Sequence, residues 1–381
     1  MSDSSFVRRV KMHQARPIKA QLGSLDIELT ERCNNDCIHC CINLPANDAG
    51  AKARETSTTV LKDILFQAAE LGCLQVRFTG GEPLLRRDFR ELYLCARKLG
   101  MKVLLFTNAR LVTPRIARLF AQIPPLVPIE ITVYGMKAES YEAVTRVPGS
   151  FAQFWRGVSL LLEQRVPFIV KQALLPQNRQ EIEQFESWAG TIPWMQKAPS
   201  YVMNFDLRGR RDNPDKNAGI QRLRSSPEEV VFILTRDKES SFQQMDDFRA
   251  KKFMGQAGRS LFQCSASSGC SGCLDAYGRL QPCMGIRIPE LTVDLVGTGI
   301  TLGEALRGFA SMGEICASNP EYLRRCAKCV LKGLCEQCPA KSWSENGTLD
   351  TPVEYLCEVA HAQARFIGWL AEKQHGWEVI G

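Results

Sequence analysis

The feature that most constrains this chain is a group of three closely spaced cysteines near its beginning. Cys33, Cys37 and Cys40 are separated by three and then by two residues, and they follow the apolar run 25–30. That run predicts a strand that delivers all three cysteines on one loop. Three thiolates on one loop match three corners of an iron–sulfur cube, and the adjacent Cys41 is expected to point away from a cluster that Cys40 binds. The fourth iron would then be open to a substrate or a cofactor.

Zinc is the alternative ligand for this loop, and three purely structural cysteines are another. A structural zinc site needs four ligands. His39 lies between two of the cysteines and has poor geometry to supply the fourth. The spacing therefore favours an iron–sulfur cluster over zinc.

Length and composition limit the class of protein. A chain of 381 residues exceeds the size that one core usually supports, which predicts two domains. The N-terminus lacks the apolar core of a signal peptide, and no apolar run approaches the about 18 residues of a membrane span. We therefore expect a cytoplasmic protein whose 16 cysteines bind metal instead of forming disulfides. A net charge of +7 without a recognisable nucleic-acid module predicts neither a nucleic-acid nor a membrane partner.

Strand and helix patterns alternate along the first half of the chain. The predicted strands cover 25–30, 72–79, 102–108, 129–134 and 167–173, with one more within 192–205, and the predicted helices cover 59–71, 89–99, 113–122, 151–164 and 179–189. The segments 43–58 and 206–224 are expected to be loops, and Ser226 is expected to cap a helix. This alternation predicts an α/β fold with a parallel sheet.

A second motif, Gly80-Gly81-Glu82-Pro83, directly follows the second predicted strand. Two glycines allow the backbone to approach a ligand closely, and the Glu82 carboxylate can accept hydrogen bonds from a cationic amine. In barrels built from alternating parallel strands and helices, the catalytic residues lie at the C-terminal ends of the strands. Both motifs lie at such ends.

The cysteine spacing and the Gly80–Pro83 motif together resemble the radical S-adenosylmethionine (SAM) superfamily. This resemblance implies a partial (β/α)6 TIM-type barrel with a [4Fe-4S] cluster on Cys33, Cys37 and Cys40, whose open iron chelates SAM. By position, the residues it implies as cofactor contacts are Gly80, Gly81, Glu82, Pro83, Thr107, Asn108 and Thr132. Glu130 and Tyr134 share the strand of Thr132, and Lys171 and Gln172 are further candidates to face the cavity. Polar residues that merely cap strand ends remain the alternative.

Ten cysteines crowd into the segment 264–357. Gly278 precedes Cys283 by five residues, a run with gaps of two, five and two residues joins Cys326 to Cys338, and Cys357 follows alone. This pattern resembles the SPASM extension of radical SAM peptide-modifying enzymes, although the family's last gap in the run is three residues. The resemblance implies a small cysteine-rich α+β domain with two auxiliary [4Fe-4S] clusters.

The ligands that this resemblance implies fall into two sets. The cluster nearer the barrel takes Cys264, Cys270, Cys283 and Cys338, and the outer cluster takes Cys326, Cys329, Cys335 and Cys357. Cys273 can replace Cys264 or Cys270, and two zinc sites remain an alternative. The other four cysteines, Cys41, Cys73, Cys95 and Cys316, are expected to be buried small apolar side chains. The implied division is an N-terminal arm over 1–21, the barrel over 22–240 and the SPASM domain over 241–381.

The resemblance also implies an activity: reductive cleavage of SAM to a 5′-deoxyadenosyl radical that abstracts hydrogen from a substrate. The first hypothesis is modification of a ribosomally made peptide or protein through a thioether or carbon–carbon crosslink. It implies a flavodoxin- or ferredoxin-type electron donor, and a separate leader-binding protein because the segment 1–21 is too short to bind a leader.

Three alternatives remain, and no catalytic acid or base is assigned. One is anaerobic sulfatase (formylglycine) maturation, which Met284 disfavours because those enzymes carry an aspartate there. The others are oxidation or epimerisation of a small molecule, and a non-catalytic iron–sulfur electron carrier.

Overall fold

The structure is a computed structural model that describes residues 22–236 and 258–379. These residues form two compact units. The first contains the described residues up to Val202 together with Ser268–Met284 and Pro289–Ala310, and the second contains the rest. The predicted arm over 1–21 and the predicted domain boundary at residues 240 and 241 lie outside the described residues.

The first unit contains a mixed sheet whose strands are mostly parallel. The strands are β1 (Ser24–Thr30), β2 (Arg32–Cys33), β3 (Leu44–Pro45), β4 (Gln75–Gly80), β5 (Lys102–Thr107), β6 (Ile129–Val133), β7 (Phe168–Ala173), β8 (Ser200–Val202), β9 (Ser271–Leu274), β10 (Arg279–Gln281) and β11 (Val293–Asp294). Nine of them form one sheet in the order β11-β10-β9-β1-β4-β5-β6-β7-β8, and β2 pairs with β3 separately. Neighbours from β9 to β8 are parallel, whereas β10 is antiparallel to both of its neighbours. The predicted α/β fold with a parallel sheet is confirmed.

Helices follow most of the strands. The first unit contains α1 (Ala49–Arg54), α2 (Thr58–Glu70), α3 (Phe89–Lys98), α4 (Pro114–Gln122), α5 (Ala138–Thr145), α6 (Ser150–Glu163), α7 (Ile182–Ala189), α10 (Leu295–Thr298) and α11 (Leu302–Gly308). The second unit contains α8 (Pro214–Gln221), α9 (Pro227–Leu234), α12 (Pro320–Arg324), α13 (Pro339–Asn346) and α14 (Glu354–Phe366). Short 3-10 turns cover Pro83–Leu85, Arg179–Glu181, Ser265–Ser268, Pro289–Leu291, Phe309–Glu314, Cys326–Lys328 and Val330–Gly333.

The two faces of the large sheet differ in polarity. On the face that the helices cover, side chains such as Ile27, Phe78 and Leu105 are fully buried. Phe78 packs edge-on against Phe89 of α3, with ring centroids 6.3 Å apart. Strand alternation places polar and charged side chains on the other face, which we call the open face. The apolar core therefore lies on one side of the strands, and the other side remains available for a polar site.

The prediction was wrong for three segments. Helix α1 lies within the expected loop 43–58, α8 lies within the expected loop 206–224, and α5 was not predicted. Strand β4 begins at Gln75 instead of residue 72, because Gly72 adopts a φ of 86° in the turn that follows α2. Strands β9 to β11, which the sequence assigned to the C-terminal domain, extend the sheet of the first unit because β9 pairs with β1.

The second unit has its own apolar core beside α14. Its buried members are Leu331, Leu334, Ala360, Ala364 and Leu370. Helix α9 begins with the predicted cap, in which the Ser226 side chain accepts from the Glu229 N–H and the Glu229 carboxylate accepts from the Ser226 N–H. Among the described residues, none of the helices combines the length and the apolar character that crossing a membrane requires.

Candidate functional site

The three N-terminal cysteines lie together on the loop that follows β1. Their thiols are close enough to influence one another's ionisation, and burial raises the pKa of Cys33 to about 12. Backbone N–H groups point at two of the sulfurs: Asn35 donates to Cys33 Sγ at 3.3 Å and Asn43 donates to Cys40 Sγ at 3.4 Å. Such donors stabilise thiolate ligands, so the loop fits a bound iron–sulfur cluster.

Helix α5 and Arg110 hold this loop in place. The last carbonyls of α5, those of Val144 and Thr145, accept hydrogen bonds from the Ile38 and Asp36 N–H groups at 3.1 and 2.9 Å. The Arg110 guanidinium donates to the Asn34 carbonyl and to the Asn35 side chain. It is fixed in turn by Gln153 Oε1, which accepts from Nη2 at 2.6 Å. Sequence reasoning missed this support because its members are distant in the chain.

The glycines of the second motif allow β4 to end directly against the cysteine loop. A Cβ atom on Gly80 would lie 2.3 Å from the Thr30 carbonyl oxygen, and one on Gly81 would lie 2.2 Å from that of Arg32. The close approach permits the Gly81 N–H to donate to Thr30 at 2.7 Å. The sequence predicts that these glycines let the backbone approach a ligand closely. In the structure they let it approach the backbone of the cysteine loop.

Glu82 is fully buried and joins the ends of β4 and β5. Its carboxylate accepts from the Thr107 hydroxyl, the Asn108 N–H and the Leu84 N–H at 2.9, 2.9 and 3.0 Å. Burial raises the pKa of Glu82 to about 7, against the opposing effect of these donors. Two of these three donors, Thr107 and Asn108, are themselves predicted site residues, and Glu82 fixes them at the strand ends.

The remaining predicted contacts divide between the two faces of the sheet. The Asn108 side chain donates to Asn34 Oδ1 at 2.9 Å and approaches Cys33 Sγ at 3.7 Å. Thr132 lies on the open face in register with Lys171. Gln172 follows Lys171 and is fully buried, because adjacent strand residues point to opposite faces. Both residues are candidates to face the cavity; Lys171 lies on the open face, whereas Gln172 is buried on the opposite face.

Two contacts that the sequence did not indicate brace the start of the loop. Glu55 accepts from Arg32 Nε at 2.7 Å and Nη2 at 3.1 Å, in a pair that is nearly buried. The Tyr277 hydroxyl donates to Glu31 Oε2 at 2.7 Å. Glu55 and Tyr277 therefore fix the residues directly before Cys33.

In the second unit, six cysteines line one cavity of about 560 Å³. They are Cys264, Cys326, Cys329, Cys335, Cys338 and Cys357. All four cysteines predicted for the outer cluster are among them. Burial raises the pKa of Cys326 to about 12, and the neighbouring Cys357 and Cys329 raise it further. The four thiols thus surround a common space.

The other C-terminal cysteines occupy different environments. Of the predicted inner ligands, Cys264 and Cys338 belong to the second unit, whereas Cys270 and Cys283 belong to the first. Cys273 is fully buried on β9. The expectation of burial is right for Cys73 and wrong for Cys316, which is exposed, and Cys41 and Cys95 are half-buried.

Comparison with known proteins assigns a family to part of the first unit. The model of the radical SAM superfamily matches residues 27–189. The PqqA peptide cyclase of Rhodopseudomonas palustris is 26% identical over 80% of this chain and 78% of its own length. The AdoMet-dependent heme synthase of Methanosarcina barkeri is 29% identical over 41% of this chain, and the match spans only 43% of that relative.

A solved structure supports the same assignment at the level of the fold. The AdoMet-bound structure of native anSMEcpe matches with a TM-score of 0.62 at 16% identity, over 90% of this chain and 96% of that chain. The shared fold agrees with the partial barrel that the sequence predicts. Residues 27–189 therefore form a radical SAM domain.

Proposed function

We propose that this protein is a radical SAM enzyme that modifies a ribosomally made peptide or protein. The observation that carries the proposal is the contact between its two motifs. The loop of Cys33, Cys37 and Cys40 is hydrogen-bonded to the Gly80–Pro83 turn at adjacent strand ends, with Glu82 N–H donating to Arg32 at 2.9 Å. The three cysteines that we propose as cluster ligands thus lie on a loop that contacts the turn resembling the SAM-binding motif.

The residues around the loop have distinct roles in this proposal. When bound, a [4Fe-4S] cluster supplies the electron that cleaves SAM and so provides the oxidant for a substrate C–H bond. The Asn35 and Asn43 N–H groups stabilise the charge on the ligating sulfurs. Glu82 holds Thr107 and Asn108 in fixed positions for the cofactor. Asn34 Nδ2 is buried and has no hydrogen-bond partner among the described residues, so it can donate to a bound group.

Anaerobic reconstitution with iron and sulfide, followed by SAM and dithionite, tests the activity. We expect release of 5′-deoxyadenosine, and we expect Cys40→Ala to abolish it. Cys41→Ala is the matched control, because Cys41 is the next residue and lies outside the three-cysteine motif. A fully iron-loaded protein that releases no 5′-deoxyadenosine would instead be an electron carrier.

A peptide substrate is supported by the similarity to the PqqA peptide cyclase, which extends over 80% of this chain. We propose a thioether or carbon–carbon crosslink as the product, a cytoplasmic location, a separate leader-binding protein and a flavodoxin- or ferredoxin-type electron donor. Co-expression with peptides encoded by neighbouring genes tests this, because a crosslink lowers the peptide mass by about two hydrogens. Unchanged peptide masses in the presence of active enzyme would contradict it.

We also propose two auxiliary [4Fe-4S] clusters. The outer one is supported by the cavity that Cys326, Cys329, Cys335 and Cys357 share. The inner one, on Cys264, Cys270, Cys283 and Cys338, rests on the spacing of the cysteines alone. Metal analysis separates iron from zinc, with about twelve irons per chain expected for three cubes.

A small-molecule substrate is the second candidate, supported by the similarity to the heme synthase. That similarity covers 41% of this chain, whereas the similarity to the peptide cyclase covers 80%. The longer match favours a peptide. The co-expression experiment distinguishes the two, since a small-molecule enzyme would leave every peptide unmodified.

A further inference from the structure

Two ion pairs lie side by side on the open face of the sheet. Arg77 Nη1 of β4 donates to Asp26 Oδ2 of β1 at 2.9 Å, and Lys171 Nζ of β7 donates to Glu130 Oε2 of β6 at 3.0 Å. Phe106 of β5 lies between the pairs. We call these five residues the charged layer.

Stability does not explain the charged layer. The strands of parallel sheets are usually apolar on both faces, and replacing a buried ion pair with apolar side chains is often neutral or stabilising. The four charged side chains retain 20–26% of their exposure, so their polar ends reach the open face of the sheet. A ligand in contact with that face can therefore touch them.

The positions of the cations indicate the charge of that ligand. The guanidinium carbon of Arg77 lies 5.0 Å from the Phe106 ring centroid, and Lys171 Nζ lies 3.9 Å from the same centroid. Each acid pairs with one cation, whereas both cations converge on one ring. The space over this ring, between the two cations, is where an anion would meet both positive groups at once.

Arg77 also has donors to spare. Within the part of the chain that the structure describes, its Nε is buried without a hydrogen-bond partner. Its Nη1 donates a hydrogen bond to Asp26 and lies 3.7 Å from Met284 Sδ. The planar guanidinium matches a carboxylate better than any other side chain does, and it binds that group through two parallel hydrogen bonds. With 26% of its side chain exposed, Arg77 can present its guanidinium to a carboxylate on the open face.

We propose that the charged layer binds a carboxylate side chain of the substrate, an aspartate or glutamate, between Arg77 and Lys171 and over Phe106. The inference rests on the proposed peptide-modifying function and specifies its substrate class. Lys171 pairs in register with Thr132, a predicted cofactor contact. An acidic residue anchored here would hold the adjacent part of the peptide beside the cofactor site.

Calorimetric titration of the reconstituted, SAM-bound protein tests the proposal with two isosteric probes. N-acetyl-glutamate amide carries the carboxylate, and N-acetyl-glutamine amide replaces it with a neutral group. We expect the charged probe to bind at least about tenfold more tightly, and we expect its advantage to shrink as salt is raised. Equal binding of the two probes would overturn the proposal.

Variants assign the binding to the charged layer. Arg77→Gln and Lys171→Met should each remove most of the preference for the charged probe. Arg118→Gln on α4 and Lys102→Met at the start of β5 are matched controls on exposed positions, and they should keep it. Arg77→Lys preserves the charge but not the planar guanidinium, so this variant should bind the charged probe with intermediate affinity. It keeps the test valid if Arg77→Gln fails to fold. If the folded Arg77→Gln and Lys171→Met proteins still prefer the charged probe, the charged layer is not the carboxylate-binding site.

The same protein preparation separates this inference from the proposed function. If 5′-deoxyadenosine is released and the probes are not distinguished, the carboxylate site is wrong and the activity stands. If the probes are distinguished and no 5′-deoxyadenosine is released, the binding site stands and the proposed activity is wrong.

Discussion

At the scale of single residues, the site depends on the absence of side chains as much as on their presence. Gly80 adopts a φ of 114°. A Cβ atom added to Gly80 or to Gly81 would lie no more than 2.3 Å from a backbone carbonyl oxygen. Those oxygens belong to the backbone at the start of the cysteine loop, so they cannot rotate away as a flexible side chain would. The two glycines are required for the loop and β4 to meet.

Gly81→Ala should therefore destabilise the first unit by about 3 kcal/mol and prevent loading of the N-terminal cluster. Urea unfolding and iron content measure the two effects. Gly308→Ala is the matched control, because none of the described residues has an atom within 4 Å of a Cβ atom at that helical position. Normal iron content in Gly81→Ala would show that the loop can shift without losing its metal.

A second residue-scale prediction concerns pH. Arg208 donates to both carboxylate oxygens of Asp212, at 2.6 and 3.0 Å, and these bonds hold the pKa of Asp212 below its usual range. A depressed pKa means that the pair contributes stability above the unfolded value, about 3.9, and that the contribution fades as pH falls through the folded value.

Asp212→Asn should thus lower stability by at most about 1 kcal/mol, because Asp212 is half exposed. The difference from the wild type should stay constant between about pH 8 and pH 5 and disappear only in stronger acid. Thermal unfolding across that range measures it. A difference that changes around neutral pH would contradict the assignment.

At the scale of elements, helix α5 and Arg110 in the turn after β5 hold the cysteine loop. The Asp36 and Ile38 N–H groups of the loop bond to the end of α5, and Arg110 bonds to the Asn34 carbonyl. Metal sites depend on such outer contacts, since they orient the ligands before the metal binds.

Arg110→Gln should accordingly lower retention of the N-terminal cluster by roughly tenfold, with the three cysteines intact. Iron release to a chelator, followed by absorbance, measures the effect. Arg118→Gln, on an exposed helical position, is the control. Equal release rates for the two variants would show that Arg110 is dispensable.

The sequence predicted the elements with strong local signals and missed those fixed by distant partners. Strands such as β5 and β7 were found because continuous apolar residues mark a buried strand. Helix α5 was missed because Ala138–Thr145 carries few large apolar residues and depends on tertiary contacts. The cysteine loop and the Gly80–Pro83 turn were recognised from spacing. Arg110, Glu55 and the Asp26–Arg77 pair act on residues distant in the chain, and no local pattern marks them.

At the scale of the whole molecule, the cysteines are distributed over two compact units. The N-terminal motif belongs to the first unit, and the cavity lined by six cysteines belongs to the second. Because the second unit is small and its thiols are separated by open space, metal bound there would supply folding energy.

Cys357→Ala should reduce the iron content from about twelve to about eight per chain and lower the stability of the second unit. Iron analysis and limited proteolysis measure the two effects. Cys316→Ala is the control, because Cys316 is exposed and does not line the cavity. An unchanged iron content in Cys357→Ala would contradict the proposed outer cluster.

The pairing of β1 with β9 has a consequence for biosynthesis. Asp26 and Cys273 are partners across that ladder, although roughly 250 residues separate them in the chain. While the ribosome is still translating the intervening segment, one edge of β1 has no partner and is open to wrong pairing. The sheet is therefore complete only after translation has passed Asp294, and a protein truncated before β9 should aggregate in the cell.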